Sequence, residues 1–149
     1  MTNFIPIFPL GIVVYPGEHV NLHIFEPRYK QLITECYTLN KLFGIPAIID
    51  NRVQDYGTLT KVTEITKIHE NGEMDIKTTG EKVFRILEVI KEVPEKLYSG
   101  AIVTYPDNLD KGNPEVMKRV VNSIRELHRL LNIQKDFFKQ DAELKVYDV

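Results

Sequence analysis

Cysteine is almost absent from this chain: Cys36 stands alone, which excludes an intramolecular disulfide framework and any zinc site needing two or more thiolates. Long apolar runs are missing too, and none approaches the roughly 20 residues of a helical membrane span. The apolar N-terminal stretch lacks a basic n-region and is broken by Pro6, Pro9 and Pro16, so it does not read as a signal peptide. No Asn-X-Ser/Thr sequon occurs, and a cytoplasmic chain is expected. Neither charge sign dominates: 19 Lys+Arg against 21 Asp+Glu give a net charge of −2, with a pI near 6.1. The broad positive field of a nucleic-acid or anionic-membrane binder is therefore lacking.

Catalytic constellations are equally scarce. None of the eight glycines belongs to a phosphate-cradling P-loop; Thr79-Gly80-Glu81-Lys82 lacks both the upstream glycine and the following hydroxyl. Neither serine, Ser99 or Ser123, lies in a Gly-X-Ser-X-Gly elbow or beside an activating group. His19 and His23 share one face of an extended segment, but four strand residues separate them by about 13 Å, too far to hold one metal. They read as a solvated strand face, His69 as an exposed turn residue and His128 as a neighbour of helix packing. Cys36 falls on the buried face of a helix, where thiols are inert. Among the carboxylates only Glu26 has an apolar context, and adjacent Arg28 gives it a helix-capping or ion-pairing role. Lys118, Arg119, Arg125 and Arg129 give the last helix a basic side that reads as a solvent face. No catalytic residue, cofactor or metal is expected.

What is present is an ordinary globular composition, 43% hydrophobic and 27% charged over 149 residues, enough for one domain with a small appendage. Residues 1–106 read as mostly strand. Ile5 to Tyr15 is an apolar run whose prolines suit edges or bends. Val20, Leu22 and Ile24 alternate with His19, Asn21 and His23 at the period of a half-buried strand. Pro27 fits the first turn of a helix reaching about Tyr37, with Tyr29, Leu32, Ile33 and Cys36 at helical spacing. Strands follow over Phe43–Ile49 and Gly57–Ile68. Asn71-Gly72 then predicts a type I′ hairpin turn leading into a return strand through Met74, Ile76 and Thr78. Gly80-Glu81 predicts another turn before a run over Val83–Val93, and a last strand spans about Ala101–Tyr105.

Residues 106–114, rich in Pro, Asp, Asn and Gly, mark a boundary, with a helical extension over 112–149. Asn113 suits its cap, Pro114 its first position and Glu115 its positive dipole end. Met117, Val120, Val121, Ile124, Leu127 and Leu131 form one apolar stripe that needs a cover: barrel, further helix or partner. Beyond Asn132 the pattern degrades.

The string Ile5-Pro6-Ile7-Phe8-Pro9-Leu10-Gly11-Ile12-Val13-Val14-Tyr15-Pro16-Gly17, followed by Leu22-His23-Ile24-Phe25-Glu26-Pro27-Arg28-Tyr29, resembles the amino-terminal substrate-binding domain of Lon proteases. More closely, it is similar to stand-alone Lon-domain proteins. Phe43-Gly44-Ile45, Tyr56-Gly57-Thr58-Leu59 and Gly80-Glu81-Lys82-Val83-Phe84-Arg85-Ile86 extend the likeness across residues 4–105. The resemblance implies an α+β fold: a mostly antiparallel, PUA-like β pseudo-barrel with one short helix, followed by a C-terminal helical segment. It also implies that the signature residues Phe8, Pro9, Leu10, Pro16, Phe25, Glu26, Pro27, Arg28 and Tyr29 are structural. Phe8, Leu10, Phe25 and Tyr29 would fill the core, and Glu26 and Arg28 would tie the helix entrance to the sheet.

In full Lon proteases this domain captures unfolded or degron-bearing polypeptides ahead of ATPase and protease modules, for neither of which this sequence has the motifs. The resemblance thus implies a non-catalytic module binding unfolded or hydrophobic polypeptides through a strand edge or apolar groove. Two other readings stand beside it. One is a scaffold docking a specific folded partner, or a second copy, through the helix face from Met117 to Leu131. The other is RNA or small-molecule binding, borrowed from PUA-like folds.

Overall fold

The computed structural model describes residues 3–107 and 112–131. They fall into two units divided between Pro106 and Asp107. In chain order the first holds β1 (Asn3–Pro6), β2 (His19–Ile24), α1 (Pro27–Leu39), β3 (Phe43–Ile49), β4 (Arg52–Ile68), β5 (Met74–Ile90) and β6 (Gly100–Thr104). The second holds α2 (Pro114–Leu130). The fold is a mostly antiparallel sheet with two helices.

The strands run β1-β6-β5-β4-β3, with β2 added alongside β5, and every ladder between named strands is antiparallel. The proline-punctuated N-terminal segment changes partner along its length. Asn3–Pro6 pairs with β6, while Ile7 and Leu10 form parallel bridges to Gly44 and Ala47 of β3. That switch joins the two ends of the sheet order. Short contacts separated by prolines suit this role, because each proline removes one ladder donor without breaking a long strand.

β4 and β5 are 17 residues each and form the spine. The Gly80-Glu81 turn expected from sequence does not occur, and β5 runs straight through it. Glycine serves a close approach there: a Cβ on Gly80 would stand 2.5 Å from the Tyr15 carbonyl oxygen. Gly80 N–H donates to the Glu18 carbonyl, and its own carbonyl accepts from Gly17. Glu81 is the extra residue of a bulge, since Thr60 faces Gly80 and Leu59 faces Lys82.

The Asn71-Gly72 turn exists, but only Gly72 has positive φ (87°). Gly72 N–H bonds the His69 carbonyl and His69 N–H bonds the Glu73 carbonyl, so the loop is longer than a two-residue I′ turn. The true two-residue connection, with both φ values positive, is Asp50-Asn51 between β3 and β4 (53° and 62°).

Two apolar clusters make the core of this unit. One gathers Phe8, Val14, Ile24, Phe43, Val62, Met74, Ile76 and Tyr98 with Leu32, Ile33 and Cys36 of α1. The other gathers Ile5, Ile7, Leu59, Phe84, Ala101 and Val103. Thr58, Leu59 and Thr60 are buried in succession, as expected where a strand is covered on both faces. α1 extends to Leu39, two residues beyond expectation, and ends on Asn40 in the left-handed conformation. A clasp ties α1 to the β5–β6 connection. Glu35 takes an ion pair from Lys96 Nζ (2.7 Å) and a hydrogen bond from the Tyr98 hydroxyl (2.7 Å), and Leu97 N–H donates to Gln31 Oε1 (2.8 Å).

In the second unit, the Asn113 side chain accepts from Glu115 N–H (2.9 Å) and Val116 N–H (3.4 Å), with Pro114 in the first turn. Among the described residues, no helix is long and apolar enough to cross a membrane.

Candidate functional site

The signature residues separate into core and surface. Phe8 is buried and stacks on Tyr29 with centroids 3.8 Å apart and rings 13° from parallel; Phe43 lies 6.5 Å away. Tyr29 and Leu10 pack half-buried against the same cluster. Phe25 departs from the core position expected for it. It is 59% exposed, its ring 6.3 Å from that of His23. The alternation of β2 explains this: Ile24 is buried at the strand's end, so the next residue points away.

Glu26 and Arg28 form the expected ion pair, but with each other rather than as a tie from the helix entrance to the sheet. Arg28 Nε pairs with Glu26 Oε2 at 3.2 Å, and its guanidinium lies 5.6 Å from the Tyr29 ring centroid. The Glu26 side chain makes no capping hydrogen bond. Its backbone carbonyl instead receives Tyr29 N–H and Lys30 N–H. Pro27 opens the helix, and burial raises the Tyr29 hydroxyl above its ordinary pKa.

The segment around Pro16 carries the more informative arrangement. Leu10 N–H bonds the Pro46 carbonyl, Ile48 N–H bonds the Leu10 carbonyl and Gly17 N–H bonds the Gly80 carbonyl. The buried Thr58 hydroxyl donates to the Val14 carbonyl, and the Val14 side chain enters the first core cluster. Tyr15 N–H and its carbonyl are both engaged by Glu18. With Val14 held inward, its neighbours turn outward: Ile12, Val13 and Tyr15 are 41%, 56% and 47% exposed. Three large apolar side chains thus face solvent on a backbone fixed at both ends.

The outer edge of β2, and that of β4 over Lys61–Ile68, carry no ladder among the described residues. The β4 edge is bulged at Thr63 and Thr66, whose hydroxyls donate to the Lys77 and Asp75 carbonyls (both 3.0 Å). With Lys61 and Lys67, those bulges guard it against strand addition.

A cluster that sequence reasoning missed lies where β2, β5 and the β4–β5 turn meet. His23 faces Asp75 across the β2–β5 ladder, and His69 lies just beyond β4. Asp75 Oδ1 is 2.6 Å from His23 Nδ1, and Oδ2 is 2.9 Å from His69 Nε2. Glu73 Oε1 stands 3.7 Å from His23 Nε2. The hydrogen bond to Asp75 holds the His23 imidazole above its ordinary pKa, and those from His23 and His69 hold Asp75 below its own. His69, read as an exposed turn residue, is in fact half-buried against this carboxylate. The placing of His69 and Asp75 on either side of the Asn71-Gly72 turn was a usable signal; the pairing of β2 with β5 was not.

Cys36 is buried, and that burial raises its thiol to about 12, which removes it as a nucleophile at neutral pH. On α2, Val121 is buried, Met117, Val120 and Ile124 are half-buried, and Leu127 and Leu131 are exposed. The weaker helical pattern beyond Asn132 lies outside the described residues.

Against known proteins, the family model of the ATP-dependent protease La (LON) substrate-binding domain matches residues 5–149. The chain belongs to the Lon substrate-binding domain family. Its structure is similar to the crystal structure of a Lon N-terminal domain protein from Xanthomonas campestris. The TM-score is 0.65 at 27% identity, covering 87% of this chain and 75% of that one. It shares its fold with the N-terminal domain of Mycobacterium avium complex Lon protease, with TM-score 0.63 at 13% identity over 88% of this chain and 72% of the other. This Lon substrate-binding domain stacks buried Phe8 on half-buried Tyr29 and turns Ile12, Val13 and Tyr15 outward.

Proposed function

We propose that this protein is a non-catalytic module that binds unfolded or hydrophobic polypeptides, and that Ile12, Val13 and Tyr15 form its capture surface. Membership in the Lon substrate-binding family carries the first half of this reading. The exposure of three apolar side chains on a backbone held at Leu10, Val14 and Gly17 supports the second. A surface already ordered before binding loses little conformational freedom on contact, which favours weak but general apolar capture. Tyr15 adds a hydroxyl to an apolar ring, a combination suited to varied partners. The reading also takes the closed strand order as a PUA-like pseudo-barrel, and residues 112–149 as a helical extension outside the capture surface.

The test is fluorescence anisotropy of a labelled, permanently unfolded polypeptide against the full chain and its Ile12→Ser/Val13→Ser/Tyr15→Ser variant. The variant is expected to lose at least about tenfold in affinity, roughly 1.4 kcal/mol, with an unchanged melting temperature. Equal affinity in the two would move the capture surface elsewhere. No binding by the unaltered chain would refute the polypeptide-binding function itself.

A further inference from the structure

We propose that His23, His69 and Asp75 form a binding site for a divalent first-row transition cation of the Zn²⁺, Co²⁺ or Ni²⁺ type. Their three ligand atoms all lie within 4.8 Å of one another. Two imidazole nitrogens and a carboxylate oxygen are a borderline donor set that selects these ions over Mg²⁺ and Ca²⁺. Three protein ligands with open positions left for water match the exposed, non-structural kind of zinc site.

The positions come from the sheet. Asp75 is on β5, with His23 directly opposite on β2. His69 is set by the hairpin, where its N–H bonds the Glu73 carbonyl at 2.8 Å. The three Cα positions are thus fixed by main-chain pairing, and only side-chain torsions remain to adjust. The imidazoles sit on separate oxygens of one carboxylate at 2.6 and 2.9 Å. Their rings are 5.5 Å apart and nearly perpendicular (72°). Donors about 2.0–2.2 Å from a tetrahedral ion stand roughly 3.3 Å from one another. The cluster reaches that spacing by drawing the two nitrogens together while the carboxylate draws back by roughly 0.4–0.7 Å. All three side chains are 31–47% exposed, which leaves room for that rotation and a path for the ion.

Glu73, 3.7 Å from His23 Nε2, is placed to orient the ring from the side away from the ion. Its carboxylate is already held by Asn71, whose side chain also receives Glu73 N–H. An ion here would fasten β2 to the β4–β5 hairpin. His19, on the same strand, bonds Thr79 Oγ1 and takes no part.

The test is calorimetric titration of Zn²⁺ into the full, tag-free, metal-free chain, with Co²⁺ absorption as a second readout. One saturable equivalent is expected, with visible Co²⁺ bands of low-coordinate type and a higher melting temperature with Zn²⁺. Loss of an orienting group alone weakens metal sites 10–100-fold, so Asp75→Asn and His69→Gln should each weaken binding by about 100-fold or more. His19→Gln should bind as the unaltered chain does. His69→Gln, at a turn, keeps the test valid if Asp75→Asn fails to fold. Absence of a saturable Zn²⁺ equivalent would overturn the proposal. So would unchanged affinity in His69→Gln, or equal weakening in His19→Gln.

Discussion

Phe84 is fully buried, and its ring lies between two glycines on neighbouring strands. A Cβ on Gly44 would meet Phe84 Cε1 and Cζ at 2.8 Å and Ile5 Cδ1 at 2.7 Å, all side-chain atoms. A Cβ on Gly57 would meet Phe84 Cζ at 2.5 Å, but also the Ile45 carbonyl oxygen at 2.5 Å and Pro46 Cα at 2.6 Å. Neither glycine has positive φ, so substitution by alanine tests space alone. Overpacking of this kind costs about 1–3 kcal/mol, and the lower entropy of the unfolded alanine chain returns about 0.4–1 kcal/mol. Gly44→Ala should therefore cost a net of about 1–2 kcal/mol. Gly57→Ala should cost about 3 kcal/mol or more, because the backbone of β3 must move. With a urea m-value near 2 kcal/mol/M, Gly57→Ala shifts the midpoint by roughly 1.5 M. Phe84→Leu should relieve most of the Gly44→Ala penalty and little of the Gly57→Ala penalty, giving unequal coupling energies in two double-mutant cycles. Equal rescue of both, or a Gly57→Ala protein as stable as the unaltered chain, would refute this account of the packing.

Two further outcomes follow from the first unit. Burial pushes the Glu35 carboxyl up, but hydrogen bonds from Lys96 and Tyr98 outweigh it and hold the group below its ordinary 4.5. A depressed folded value adds stability above the unfolded pKa that is lost as pH falls through the folded one. Glu35→Gln should therefore cost about 1–2 kcal/mol at pH 7, with the difference from the unaltered chain shrinking below pH 4.5 in urea titrations; a pH-independent difference would contradict it. The Cys36 thiol, raised to about 12 by burial, should resist a disulfide exchange reagent at pH 8 in the native chain and react fully in denaturant; rapid native labelling would show that α1 opens readily.

Most strand positions, and both helices, could be read from local signals, because those signals act over a few residues. Pro27 at a first helical turn, Asn113 before Pro114, and the alternation across β2 each work through the backbone next to them. The misread elements have distant causes. Gly80 marks a turn in any local reading, yet its missing Cβ answers to Tyr15, which approaches from 65 residues earlier in the chain. Phe25 shares its apolar character with Phe8, and only the direction in which β2 ends leaves it in solvent.

The sequence by itself determined the family, the cap and start of α2, the burial of Cys36 within an amphipathic helix, and the want of a catalytic motif. These depend on residue identity and short spacing, which survive in an unfolded chain. Tertiary structure alone decided that Val13 and Tyr15 face outward, because Thr58 holds the carbonyl of Val14 between them. It alone brought His23 to Asp75, 52 residues apart, and His69 to the same carboxylate. The register between strands fixes such meetings, and register is set by the whole sheet: by bulges at Thr63, Thr66 and Glu81, and by an N-terminal segment that pairs at both ends of the strand order.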